Sequence, residues 1–380
     1  MQRINIKVRQ KSENSFEAST FLDGKRIYRN AKTQVEAKAK IRKAVEDYQN
    51  GKTIFRSAKL CDAMEQYLKN VKSIKVKATT YDRVESTFKY HIRDEKIGRM
   101  QVGQITTQDI QDHLTAQCKA GLSFSSIKKI YNLLGEFFRY EIATKEIYFN
   151  PMLLVTMPHA SNIQHTEKDI EVLTLDEMQK VISIAEHMNQ QGVVDYRYGE
   201  AIVLLLVTGL RSGELRGLHI DDVSFENRTL HVHQNVVYAK DRKNGGIQYI
   251  IGDVKTKKSN RIVPLNDRAI LAIQRLINTT YNPETGYLIC TNTGKIVTHS
   301  HLCRCYSAIL SKAGVHHMGL HSTRHTFATI ILKDAEDRGQ IKEVSELLGH
   351  SQVSTTYEYY IKPSDSDKRI LIDQLGTLVS

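Results

Sequence analysis

Thr208-Gly209-Leu210-Arg211-Ser212-Gly213-Glu214-Leu215-Arg216 follows directly on seven consecutive apolar residues, 201–207 (AIVLLLV). A stretch apolar on every side is a helix buried on every side. The glycines after it allow a tight turn that exposes one guanidinium, with a carboxylate three residues on to steady it. Arginine suits an anion at such a turn, because its planar fork grips two oxygens and keeps its charge at any working pH. Further along stand His321-Ser322-Thr323-Arg324-His325, then Leu348-Gly349-His350, then Thr355-Thr356-Tyr357-Glu358-Tyr359-Tyr360. His321 and Arg324, three apart, share one helix face. Two arginines, histidines and a late tyrosine form a set suited to attack at phosphorus without a metal.

The charge distribution points the same way. The formal net charge is +12. Residues 1–60 hold 15 Lys+Arg against 6 Asp+Glu, residues 61–160 hold 14 against 11, and the remainder is balanced at 25 of each. A basic N-terminal arm on a neutral body suits a polyanion, nucleic acid first. No run of 18 apolar residues exists, which excludes a helical membrane span. The start, Met1-Gln2-Arg3, is unlike an export signal. The five scattered cysteines suit reduced thiols in a cytosol rather than a disulfide framework.

Three blocks are expected, making the chain a multidomain α+β protein. Residues 1–52 combine strand-like runs, a turn signal at Asp23-Gly24 and an amphipathic helix through Val35, Ala39, Ile41, Ala44, Val45 and Tyr48, giving a three-stranded sheet backed by one helix. Residues 57–160 read as helices throughout. Within them Ser123, Ser125 and Ser126 stand at a helix start, with Lys128 and Lys129 behind; this suits phosphate contacts or, equally, a plain N-cap with exposed lysines. Residues 161–380 read as a mainly helical domain with one small antiparallel sheet. Its first helix is capped by Thr174, its strands lie at 228–233, 248–252 and 261–264, and its later helices at 267–278, 299–312, 322–334 and 339–348.

In residue types, order and spacing these motifs resemble the tyrosine recombinases, or phage integrases. The resemblance implies a catalytic Arg211 supported by Glu214, a second box of His321 and Arg324 with His325 beside it, and His350 against the scissile phosphate. It implies a nucleophilic tyrosine nine or ten residues after His350, Tyr360 being favoured over Tyr359. The family's leaving-group lysine sits on a β-hairpin, and Val254-Lys255-Thr256-Lys257-Lys258 in the interval before Arg261-Ile262-Val263-Pro264 resembles it, with Lys255 as the acid and Lys257 and Lys258 on backbone phosphate. By the same resemblance residues 1–52 bind arm-type DNA, through Lys25, Arg26 and Arg29 among others, and residues 57–160 help to enclose core-site DNA.

The implied activity is site-specific integration or excision of a mobile element through a 3′-phosphotyrosine, with no cofactor, by a bacterial cytoplasmic, nucleoid-associated protein. The implied partners are double-stranded DNA at core and arm sites, three further copies in a homotetramer, and excisionase or DNA-bending proteins. The apolar tail, residues 369–379, suits docking on a neighbour or packing in cis. Two alternatives stay open: a type IB topoisomerase-like relaxing enzyme and a non-catalytic DNA-binding regulator. There is no HExxH, Walker loop or Gly-x-Ser-x-Gly. His231-Val232-His233, His316-His317 and Cys303-Arg304-Cys305 have no complete metal spacing and read as structural or surface residues.

Overall fold

Strand alternation and helix capping shape the first part of the chain. In the computed structural model, which describes residues 5–13, 15–22, 25–49, 57–160, 170–253, 259–333 and 338–349, β1 (Lys7–Ser12), β2 (Ser15–Leu22) and β3 (Lys25–Ala31) pair antiparallel in sequence order. Helix α1 (Gln34–Gln49) covers one face through Ala37, Ile41, Ala44 and Val45, which meet Ala18 and Ile27 of the sheet. The expected sheet and helix are therefore present, but the buried stripe is displaced. Val35 and Ala39 are exposed, and Ala37 fills the core instead.

The following block is helical, as expected. It comprises α2 (Leu60–Tyr67), which runs through a π-turn (Leu68–Lys72) into the short α3 (Ser73–Lys75), then α4 (Ala78–Phe88), α5 (Thr107–Lys119) and α6 (Phe124–Ala143). Thr106 and Asp109 form a reciprocal capping box on α5, satisfying orphan amides at its start. Leu60, Met64, Ile110, Leu114, Leu134, Phe137 and Phe138 fill the core.

The chain divides into two compact units at residues 167/168. In the second, Thr174 and Glu177 cap α7 (Leu175–Ala185), and α8 (Gly199–Thr208) is buried along most of its length. Helix α9 (Ser212–Arg216) follows after a turn. Two small antiparallel sheets come next, where one was expected. β4 (Val223–Ser224), β5 (Thr229–Val232) and β8 (Arg261–Pro264) form one in the order β4-β5-β8, and β6 (Gln234–Lys240) with β7 (Ile247–Asp253) forms the other. β6 was not expected because its apolar run, Val236-Val237-Tyr238-Ala239, is short and lacks the apolar–polar alternation that marks a half-buried strand. The expected hairpin around Lys255 falls on residues 254–258, outside the described residues; of the strands flanking it, β7 pairs with β6 and β8 with β5, and β7–β8 pairing is absent among the described residues. Helices α10 (Asp267–Thr279), α11 (His299–Lys312), α12 (Ser322–Lys333) and α13 (Arg338–Leu348) complete the unit, within two residues of expectation. α12 and α13 meet through Phe327, Ala328, Leu332, Val344 and Leu348, which fixes the end of α13 beside the start of α12.

Candidate active site

Helix α8 stops at Gly209, whose φ of 66° is left-handed, and a Cβ there would come within 2.4 Å of the Phe327 ring. Only glycine meets both conditions cheaply. The turn delivers Arg211 to the N-cap of α9, where its main-chain N–H donates to Glu214 Oε2 at 2.9 Å and its Nη1 donates to Oε1 at 2.7 Å. The Arg211 side chain keeps 35% of its surface, whereas that of Glu214 keeps 2%.

Glu214 serves a second arginine. Arg261, at the start of β8, donates Nη1 to Oε1 at 3.2 Å and Nη2 to Oε2 at 3.0 Å. Burial pushes the Glu214 carboxyl up, but the Arg261 hydrogen bond and charge, then Arg211, outweigh it, so the pKa ends below the usual carboxylate range. Arg261 was absent from the expected site residues. Its only mark in the sequence is its place in the Arg-Ile-x-Pro stretch.

Arg324 on α12 is 2% exposed. Its Nη1 donates to Gly209 O at 2.8 Å and its Nη2 to Leu348 O. Arg261 Nε donates to Leu347 O at 2.6 Å, and Arg211 Nη2 to Gly349 O at 3.3 Å. Three guanidiniums thus take three successive carbonyls at the end of α13, where the helix leaves acceptors unsatisfied and the dipole is negative. His321 stands just before α12, its ring 4.7 Å from that of His325 and nearly perpendicular to it. The His321 pKa is lowered to about 4 by desolvation first, then by the charges of His325, Arg324 and Arg211, even though part of the residue reaches solvent. His325 is lowered as well, by burial and then Arg324. Both imidazoles are neutral at pH 7.

Arg211, Glu214, His321, Arg324 and His325 therefore come together from separated motifs. Lys255, Lys257, Lys258, His350, Tyr359 and Tyr360 lie outside the described residues, as does the tail 369–379. Elsewhere, Ser123 is the N-cap of α6, accepting from the Ser126 N–H at 3.4 Å, while Ser125, Lys128 and Lys129 are exposed. Arg26 lies on the open face of the N-terminal sheet, opposite α1, bonded to Glu17 at 3.1 Å and Ser19 at 3.2 Å. Lys25 and Arg29 sit at the alternate positions of β3, in step with buried Ile27. Alternation instead puts Lys7, Arg9 and Lys11 of β1 on Arg26's face; they escaped the sequence reading because the strand register was unknown.

Comparison with known proteins agrees with this geometry. The model of the phage integrase family matches residues 171–367, and that of the phage integrase N-terminal SAM-like domain matches residues 59–116. The chain belongs to the phage integrase family. A relative from Caldanaerobacter subterraneus subsp. tengcongensis, a tyrosine recombinase XerC-like protein, is 28% identical over 366 residues, covering 91% of this chain and 90% of its own. The integrase of transposon Tn1549, solved with transposon right end DNA, shares the fold with a TM-score of 0.67 at 22% identity, over 84% of this chain and all of the other. A lambda integrase tetramer bound to a Holliday junction aligns with a TM-score of 0.57 at 18% identity, over 94% and 98% of the two chains. As a family member the chain is a site-specific tyrosine recombinase, an enzyme that cleaves and rejoins DNA. No helix among the described residues is long and apolar enough to cross a membrane.

Proposed function

We propose that this recombinase exchanges strands at the ends of a mobile element with Tyr360 as the nucleophile. The Tyr360 oxygen attacks the scissile phosphorus, a 3′-phosphotyrosine forms, and the 5′ oxygen leaves with a proton from Lys255. Arg211, Arg324 and His350 offset charge on the phosphoryl oxygens, and neutral His321 passes a proton, with Glu214 and His325 in support. Arg211 is the guanidinium open to the phosphate, and Arg324 adds its charge from behind. A 5′-hydroxyl of a partner duplex then attacks the phosphotyrosine and restores the tyrosine, so no external energy source enters.

The observation that carries this reading is the gathering of Arg211, Arg261 and Arg324 on the last carbonyls of α13, one residue before His350 in the chain. The domain assignment follows: residues 1–52 for arm-type sites, 57–160 for core-site DNA, and 161–380 for cleavage. Its partners are double-stranded DNA at core and arm sites, three more copies of the chain, and excisionase or DNA-bending proteins. The work takes place in the bacterial cytoplasm, at the nucleoid.

The test uses nicked suicide substrates from the ends of the chain's own element, in EDTA, with the trapped peptide mapped by mass spectrometry. A covalent band mapping to Tyr360, lost in Tyr360→Phe and kept in Tyr359→Phe, is expected. Capture at Tyr359 moves the nucleophile by one residue, and tight binding without any band on these substrates overturns the catalytic reading.

A further inference from the structure

His231-Val232-His233 occupies the end of β5 and the residue after it, so the two imidazoles point to the same side of the strand, their ring centroids 4.8 Å apart. The fold brings Asp222 to the same place from nine residues upstream. One ligand atom from each of the three lies within 4.8 Å of the other two. Sequence spacing concealed the third group, because Asp222 approaches through the β4–β5 turn rather than along the strand.

We propose that Asp222, His231 and His233 form a binding site for a divalent transition ion of the zinc type, separate from the reaction centre and not required for cleavage. Two imidazoles and one carboxylate suit zinc, cobalt or nickel, and suit magnesium or calcium poorly. The carboxylate is already oriented. Asp222 Oδ2 accepts from the His219 N–H at 2.9 Å, and Oδ1 meets His233 Nε2 at 2.8 Å. An ion replacing the proton between those two atoms needs them to part by only about 0.5 Å, given metal–ligand bonds near 2.0–2.1 Å. His231 has the outer-shell partner that metal-binding histidines commonly use: its Nε2 stands 2.8 Å from Asn260 Oδ1, which leaves Nδ1 as the ligand. Water fills the remaining position on the exposed side. Ion binding would tie Asp222, the residue before β4, through His231 to Asn260, the residue before Arg261, and so brace β5 against β8.

The experiment is equilibrium dialysis of the chelator-stripped full chain against Zn²⁺, with Co²⁺ substitution read by visible absorption. Expected is about one ion per chain with imidazole-type Co²⁺ bands, lost in His231→Gln/His233→Gln and weakened about tenfold in Asn260→Ala. His231→Gln alone, at an exposed position, guards against unfolding, and each variant's circular dichroism must match the parent before it is scored. Binding that is absent in the parent, or unchanged in the folded double variant, overturns the site. Cleavage in EDTA is measured alongside, so a failure of this site is distinct from a failure of the tyrosine chemistry.

Discussion

Arg261 holds both carboxylate oxygens of Glu214, at 3.2 and 3.0 Å, while Arg211 reaches one of them through its side chain at 2.7 Å. The support of the exposed arginine is therefore itself supported by a buried one. Two cations sharing one carboxylate leave a surplus positive charge, and Arg211 carries the accessible part of it.

This separates the two arginines experimentally. Removing Arg261 leaves Glu214 buried with one partner lost, and Arg261→Met should cost about 3 kcal/mol, the scale for breaking a buried pair. Arg211 is partly exposed, so Arg211→Lys should cost about 1 kcal/mol or less. Cleavage should show the reverse order, with R211K abolishing covalent capture while retaining DNA binding. Calorimetric unfolding beside the suicide-substrate assay checks both. Equal stability losses would show that the buried pairing is not what steadies the turn.

The pH dependence of stability has a defined sign. His321 is neutral in the fold down to about pH 4, while the unfolded chain takes up its proton near 6.5. As pH falls from 6.5 towards 4 the unfolded state binds more protons, so stability falls. Glu214 acts lower down. Its lowered pKa stabilises the fold above its ordinary value of 4.5, and that contribution is lost as pH drops below it. Melting temperatures of the DNA-free protein should decline across both windows, and His321→Asn should make the upper decline shallower, with His325, whose pKa is also lowered by burial, contributing to what remains. An unchanged upper slope in H321N removes His321 as its cause.

Much of this arrangement was legible because its signals are local. Seven apolar residues in a row mark an element buried on every side, Thr174 with Glu177 announces a helix start, and the HxxR spacing sets two side chains on one face. What stayed hidden depends on register and on distant partners. Ala37 rather than Val35 faces the sheet because the phase of α1 is set by packing against Ala18 and Ile27. Arg261 gained its role from a carboxylate 47 residues away. Lys7 and Arg9 joined the open face only once their pairing with Ser19 and Glu17 was known.

Gly209 should be intolerant of any side chain. Alanine there adopts left-handed backbone at about 1 kcal/mol and pushes its Cβ into Phe327, which adds about 1–3 kcal/mol. The displaced turn also moves the carbonyl that receives Arg324 Nη1. Gly209→Ala should lower both the melting temperature and the cleavage rate. Gly245→Ala, also at positive φ but with open space around its Cβ, should leave cleavage near the parent level.

The open face of the N-terminal sheet makes a prediction that distinguishes register from mere charge. Lys7, Arg9, Lys11 and Arg26 lie on one face, with Glu17 among them bonded to Lys11 at 2.7 Å and Arg26 at 3.1 Å. Exposed Phe21 and Tyr28 share that face and offer apolar contact beside the cations. If this face meets arm-type DNA, each cation on a phosphate contributes about one unit to the slope of log affinity against log salt. Lys7→Ala/Arg9→Ala/Arg26→Ala should weaken arm-site binding and reduce that slope by about 2–3. Lys25→Ala/Arg29→Ala removes two charges from alternate positions and should change the slope by less than about one. Fluorescence anisotropy over a salt series measures both. Equal effects per charge removed would mean that the strand faces are not distinguished, and that the arm binds DNA through its overall charge alone.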